Sequence, residues 1–245
     1  MPTEADLIQQ LVEAQRAGRQ DVDAVPYSTL DTAAALRIQL ATMAGLGEHA
    51  GLLKTLVAPD GLGVCAPIYA SRFGQSGAFQ LPSATVTGLE VEVGLVLGSD
   101  ITSEAADRDE IDIIEAIDHY FVGVEICGTR YVDRAAAGFI GGLADNASAF
   151  GYVIDPSHRD AGADIESYDV YLEFAGTPIY TGAAKHSFGT VLRSFIAYAK
   201  NQRPEFQLKA GTIVTTGSLC GLVPTSGPGH VVARVGSHTV EFDLI

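Results

Sequence analysis

Apolar residues recur at helical spacing over residues 4–19, where Leu7, Ile8, Leu11, Val12 and Ala14 make one stripe and Gly18 marks the stop. That spacing predicts an amphipathic helix. Pro26 and Ser28-Thr29 break the chain, and Asp31 or Ser28 caps a second helix whose stripe is Ala33, Leu36, Leu40 and Met43, closed by Gly45 and Gly47. The pair predicts an N-terminal helical region over residues 1–50, with 51–245 as one β-rich unit. Residues 51–82 sustain no period and are expected to be loop-rich. Residues 88–97 and 120–127 are apolar, strand-like runs, and residues 108–117 between them read as a helix. An Ala-rich, irregular helical passage spans 131–140. β-branched alternation then predicts strands over 151–154, 168–174, 177–181, 212–216, 230–235 and 239–244. A helix over 188–200 would bury Val191, Leu192, Phe195 and Ile196. Helices first, then a strand-rich body with a few inserted helices, predicts an α+β fold with a mixed sheet.

Two of these strands carry acids where a core is expected. Glu90 and Glu92 lie two residues apart, so a strand projects both from one face, while Val91, Val93, Leu95 and Leu97 fill the other. Like charges this close need protons, basic partners or a cation. A solvated edge strand is the plain reading of the pair alone. Glu125 sits in the second apolar run with no basic residue before Arg130, and an isolated acid there is expensive unless it shares a ligand with the first pair. Carboxylate oxygens suit Mg²⁺ or Mn²⁺, and no His or Cys spacing suggests zinc. His119, just ahead of the second run, reads as a turn residue with a metal or acid/base role as the alternative. Lys54 and Arg72 read as surface residues on composition alone; Arg72 could instead bind a second substrate carboxylate.

Glu90-x-Glu92, followed by Val124-Glu125-Ile126-Cys127-Gly128-Thr129-Arg130, Ala144-Asp145-Asn146-Ala147-Ser148 and Thr216-Gly217-Ser218-Leu219, resembles the 2-keto-4-pentenoate hydratase group of the fumarylacetoacetate hydrolase superfamily. That group also holds 2-oxohept-3-enedioate hydratase and 4-oxalocrotonate decarboxylase. The resemblance covers nearly the whole chain and implies a mixed β-sheet roll with a small N-terminal helical cap. It implies a cytoplasmic, homo-oligomeric, Mg²⁺- or Mn²⁺-dependent lyase of aromatic catabolism that adds water to a 2-hydroxydienoate or 2-oxo-enoate and sometimes associates with a decarboxylase. It places Glu90, Glu92 and Glu125 as metal ligands and Lys54 as the proton-transfer residue. Asn146 and Ser148 would hold the substrate carboxylate or a water, and Arg130 would orient Glu125. One departure stands out. The hydratases carry an aspartate after a Leu-Gly-Val, whereas this chain reads Leu62-Gly63-Val64-Cys65-Ala66-Pro67-Ile68-Tyr69, with Ile68 at the acid's place. Either Tyr69 or a metal-bound water takes over, or the chain is a decarboxylase, a β-diketone C–C hydrolase or a catalytically weak assembly partner.

The formal net charge of −15 disfavours nucleic acid and anionic membrane surfaces as partners. It also repels an anionic keto acid unless a local cation reverses the sign, which a bound dication does. The start of the chain has neither a basic nor an apolar leader pattern, and no apolar run approaches membrane-span length. Cys65, Cys127 and Cys220 fit no disulfide or metal pattern and read as reduced core residues; a nucleophilic Cys127 is the alternative, with its neighbouring carboxylate raising the thiol pKa. Neither a P-loop nor a G-x-G-x-x-G follows a strand, which excludes the usual nucleotide sites.

Overall fold

The computed structural model describes residues 2–102, 104, 109–157 and 168–245. Helix α1 (Glu4–Ala17) opens with a reciprocal capping box between Thr3 and Asp6 and closes on Gly18 in the left-handed region. A short turn of helix, α2 (Val25–Ser28), leads to α3 (Thr32–Leu46), where Asp31 caps the Ala34 amide at 2.7 Å. The buried face of α3 is Ala34, Ala35, Ile38, Gln39, Thr42 and Met43. This corrects the expected stripe, since Ala33 is exposed and Leu36 and Leu40 are half-buried. α3 packs against α1 and also against the helix Gly138–Ala144, so no single apolar stripe serves both contacts.

The larger sheet runs β2-β1-β10-β5-β6-β7-β3, with β11 pairing β5 off that path. Its strands are β1 (Ala50–Val57), β2 (Gly63–Tyr69), β3 (Phe73–Gln75), β5 (Val86–Leu97), β6 (Ile117–Gly128), β7 (Ala149–Ile154), β10 (Ile213–Ser218) and β11 (Val223–Pro224). β1 and β10 are parallel, as are β3 and β7, and the other pairs are antiparallel. β2 also meets β7, so the sheet curls into a roll. The smaller sheet runs β4-β13-β12-β8-β9, from β4 (Gln80–Leu81), β8 (Asp169–Phe174), β9 (Thr177–Ala183), β12 (Gly229–Val235) and β13 (His238–Leu244). The molecule is α+β, a curled mixed sheet with N-terminal helices.

Residues 51–82 are thus not loop-rich, because β1 to β4 occupy most of them. Every residue of β2 is buried, and a strand covered on both faces shows no alternation to read. Pro67 is tolerated because β2 ends the strand order. The helix expected over 188–200 is confined to Arg193–Ala199 and buries Phe195, Tyr198 and Ala199. The one expected over 108–117 is Glu110–Glu115, Arg108 lying outside the described residues.

Alternation along β5 and β6 divides the molecule. Leu89, Val91, Val93, Leu95, Val122, Val124 and Ile126 join one core cluster with residues of the smaller sheet and of the helix Arg193–Ala199. The opposite face belongs with Leu52, Val64, Ala66, Ile68, Phe121 and Tyr152, a second cluster that also takes in Leu7, Leu11, Tyr27 and Ile38 of the N-terminal helices. Among the described residues no helix is long and apolar enough to cross a membrane.

Candidate active site

On the inner face of the roll, register sets the acids. Glu90 and Glu125 are directly opposed across β5 and β6, and Glu92 opposes Gly123. Lys54 pairs in register with Thr215 of β10, two strands away from β6. Curling closes that gap and puts Lys54 Nζ 2.6 Å from Glu125 Oε1 and 3.7 Å from Glu90 Oε2. Cys127 Sγ lies 3.6 Å from Glu90 Oε2 and 3.7 Å from Glu125 Oε1. One ligand atom from each of Glu90, Glu125 and Cys127 falls within 4.8 Å of the others.

Glu92 stands beside this group, held by the Thr215 hydroxyl, which donates to its Oε2 and lies 3.1 Å from the Tyr152 hydroxyl. Tyr152 reaches across β6 because Gly123 lacks a side chain: a Cβ there would sit 2.2 Å from the tyrosine ring. Glu92 and Glu125 are fully buried, yet Glu92 Oε1 and Glu125 Oε2 have no hydrogen-bond partner among the described residues. Buried carboxylate oxygens left unpaired are the feature a hard cation satisfies.

The electrostatics follow from this crowding. Burial pushes the Glu125 carboxyl up to about 7, with Lys54 pulling it back and Glu90 pushing it further. Burial, then Glu125 and Glu90, drive Glu92 well above the carboxylate range. Burial works to lower the Lys54 ammonium, but Glu125 and Glu90 outweigh it and hold the group well above an ordinary lysine. Cys127 is raised by burial and by the same two glutamates, so it is a thiol and not a poised nucleophile.

The other expected residues make contacts of their own. Arg130 does not reach Glu125 but is committed to Asp145: its Nε donates to the carboxylate and its Nη2 to the Asp145 carbonyl at 2.7 Å. Tyr69, pushed up to about 12 by burial, is influenced by Arg130, Asp145, Arg72 and Glu48. Asn146 gives both amide hydrogens to the main chain, at Pro67 O (2.7 Å) and Ala149 O (3.0 Å), and keeps a buried, unpaired Oδ1. Ser148 Oγ accepts from Arg134 Nε at 2.9 Å. Asn146, Ala147 and Ser148 have φ of 55°, 51° and 63°, a left-handed run of non-glycine residues that the Asp145 anchor and the Asn146 amide hold in place. Arg72 stacks on Phe150 at 3.9 Å and lines a separate cleft of about 300 Å³. His119 bonds Asp118 at 2.7 Å, toward the end of β6 away from Glu125. Ile68 is fully buried opposite Leu52, on the face that carries Lys54. Sequence reasoning missed Thr215 and Tyr152; Tyr152 is a lone hydroxyl in an otherwise apolar strand, and Thr215 is one of three hydroxyl residues in β10.

Comparison with known proteins first shows the fold. The fold matches 4-oxalocrotonate decarboxylase from Pseudomonas putida G7, solved complexed with magnesium and adipate, with a TM-score of 0.77, 20% identity, and coverage of 100% of this chain and 99% of that one. It also matches a protein of Yersinia pestis CO92 described as of the fumarylacetoacetate hydrolase family, with a TM-score of 0.56, 18% identity, and coverage of 79% of this chain and 92% of that one. The chain therefore has the fold of the fumarylacetoacetate hydrolase superfamily. No protein-family model matches it. In sequence, 2-keto-4-pentenoate hydratase of Paraburkholderia xenovorans (strain LB400) and 2-keto-4-pentenoate hydratase 3 of Pseudomonas putida are each 29% identical to it, over 96% of this chain and 93% of the relative. The chain is similar to these hydratases over nearly its whole length.

Proposed function

We propose that the protein is a divalent-metal-dependent lyase that adds water to a 2-hydroxydienoate or its 2-oxo-enoate tautomer, a 2-keto-4-pentenoate hydratase-like activity. The observation that carries this reading is the opposed pair Glu90 and Glu125 with Glu92 beside it, two of whose buried oxygens lack partners, in a chain similar to hydratases end to end. The all-oxygen donor set fits Mg²⁺ or Mn²⁺, and Glu90, Glu92 and Glu125 would hold the ion. When bound, the ion supplies a Lewis-acid centre for the substrate's 2-oxygen and carboxylate and locally reverses the repulsion of a chain carrying −15.

The remaining chemistry belongs to the chain's own residues. Lys54 Nζ holds a proton among the carboxylates and is the group that delivers it to C5 of the dienol, while the 2-hydroxyl proton restores the ammonium. The product of that shift is the 2-oxo-3-enoate. Water then adds across C3–C4, hydroxyl to C4 and proton to C3. Thr215 and Tyr152 fix Glu92 in one rotamer, and Ile68, Ala66 and Phe121 form a dry wall beside it. Asn146, whose buried Oδ1 is unpaired among the described residues, and Ser148 would hold a water or the substrate carboxylate, while Arg130 and Asp145 hold each other.

Decarboxylation of a vinylogous 2-oxo acid is the second reading, favoured by Ile68 at the place of the hydratase acid and by the decarboxylase fold match. Incubating the Mg²⁺-loaded protein with 2-hydroxypenta-2,4-dienoate and, separately, with 4-oxalocrotonate, and identifying products by NMR, tests both. Formation of 4-hydroxy-2-oxopentanoate supports the hydratase; carbon dioxide release from 4-oxalocrotonate alone supports the decarboxylase. Turnover of neither leaves an assembly partner.

A further inference from the structure

Lys54 occupies the space in which a cation bound to Glu90 and Glu125 would stand. Its ammonium lies 2.6 Å from Glu125 Oε1, and a carboxylate–metal bond places a divalent ion about 2.0–2.6 Å from the same oxygen. The ammonium also faces Glu90 Oε2 at 3.7 Å, and the lysine side chain is 9% exposed, so water screens little of the interaction. With all three carboxyls ionised, the site less one ammonium carries two negative charges that attract a dication; yet an ion arriving on Glu92 Oε1 and Glu125 Oε2, unpaired among the described residues, meets the ammonium across a single carboxylate. Two cations sharing one buried carboxylate repel at short range.

We infer that Lys54 is a tethered counter-cation that competes with the divalent ion for Glu90 and Glu125, so that metal loading displaces its ammonium from Glu125 and turns it toward the substrate space. The inference rests on the reading of the glutamates as metal ligands. It adds that the lysine is an acid released by the metal, and that metal affinity is set lower than three carboxylates alone would give. The metal-free chain uses Lys54 to hold the acids together, and the loaded chain uses the same residue on substrate.

The test is Mn²⁺ binding, followed by the electron paramagnetic resonance of the free ion and by calorimetry, in the wild type, Lys54→Met and Glu125→Gln. Lys54→Met should bind Mn²⁺ about 10- to 100-fold more tightly, the range of a typical coupling between two sites. Equal or weaker binding overturns the inference. Removing the ammonium takes the cation from buried Glu125 and half-buried Glu90, so Lys54→Met should melt well below the wild type without metal and regain most of the loss with Mn²⁺; purification in Mn²⁺ keeps the variant folded. A second readout uses the wild type alone: amine-reactive labelling of Lys54, read by mass spectrometry, should quicken as Mn²⁺ saturates, and an unchanged or slower rate overturns displacement. Glu125→Gln separates the two levels. If it abolishes Mn²⁺ binding while Lys54→Met does not tighten it, the ligands stand and the competition falls. If Glu125→Gln binds as the wild type does, or if neither the wild type nor Lys54→Met binds Mn²⁺, both fall.

Discussion

Removal of the Asp145 carboxylate, by Asp145→Ala, is the perturbation whose size follows most directly from the structure. The carboxylate accepts from the Thr129 hydroxyl at 2.6 Å, from the Arg130 amide at 3.1 Å and from Arg130 Nε. The two charged side chains are 6% and 0% exposed, so truncation strands a guanidinium with no water to replace its partner. Breaking a buried pair from one side costs about 3–5 kcal/mol. At about 2–4 °C per kcal/mol for a chain of this length, the melting temperature should fall by roughly 6–20 °C. Differential scanning calorimetry and urea unfolding at matched pH measure it. Arg130→Met/Asp145→Leu removes both charges and should recover most of the loss, because the cost comes from the orphaned partner and not from losing the bond. An Asp145→Ala loss below about 1 kcal/mol, or a double variant as unstable as the two single losses added, refutes the reasoning.

Gly123→Ala puts a Cβ 2.2 Å from the buried Tyr152 ring and should destabilise by about 1–3 kcal/mol while loosening Glu92 through Thr215; urea unfolding reads the first and the Mn²⁺ dissociation constant the second. Glu125 has a folded pKa near 7 against an ordinary 4.5, so the metal-free fold binds this proton more tightly than the unfolded chain does. Its contribution to stability is therefore lost as pH rises from about 4.5 to 7, and the wild-type melting temperature should decline across that window relative to Glu125→Gln. The resemblance to the hydratases implies a homo-oligomer, so sedimentation at micromolar concentration should show a species larger than 25.7 kDa.

The acids were legible because Glu90, Glu92 and Glu125 interrupt apolar strands whose pairing follows from alternation, and β5 and β6 oppose two of them directly. The Lys54 contact was not. It spans 71 residues and depends on the sheet curling past β10 and β5, which no local pattern encodes. Burial on both faces hid β1 and β2, which carry Lys54 and Ile68, inside a stretch read as loops. Arg130 was expected to orient Glu125, whereas the partner it bonds, Asp145, lies 15 residues on, brought back by the turn through the helix Gly138–Ala144. Resemblance supplied the roll, and alternation alone gave only a mixed sheet.

The account turns on metal-dependent hydration, and one measurement addresses it most directly. The chelator-treated protein is mixed with 2-hydroxypenta-2,4-dienoate, and loss of the dienol absorbance is followed before and after Mg²⁺ is added. Turnover that is absent without Mg²⁺, appears on its addition and disappears in Glu125→Gln is the predicted result. Consumption at the same rate in chelator, or undiminished in Glu125→Gln, contradicts it.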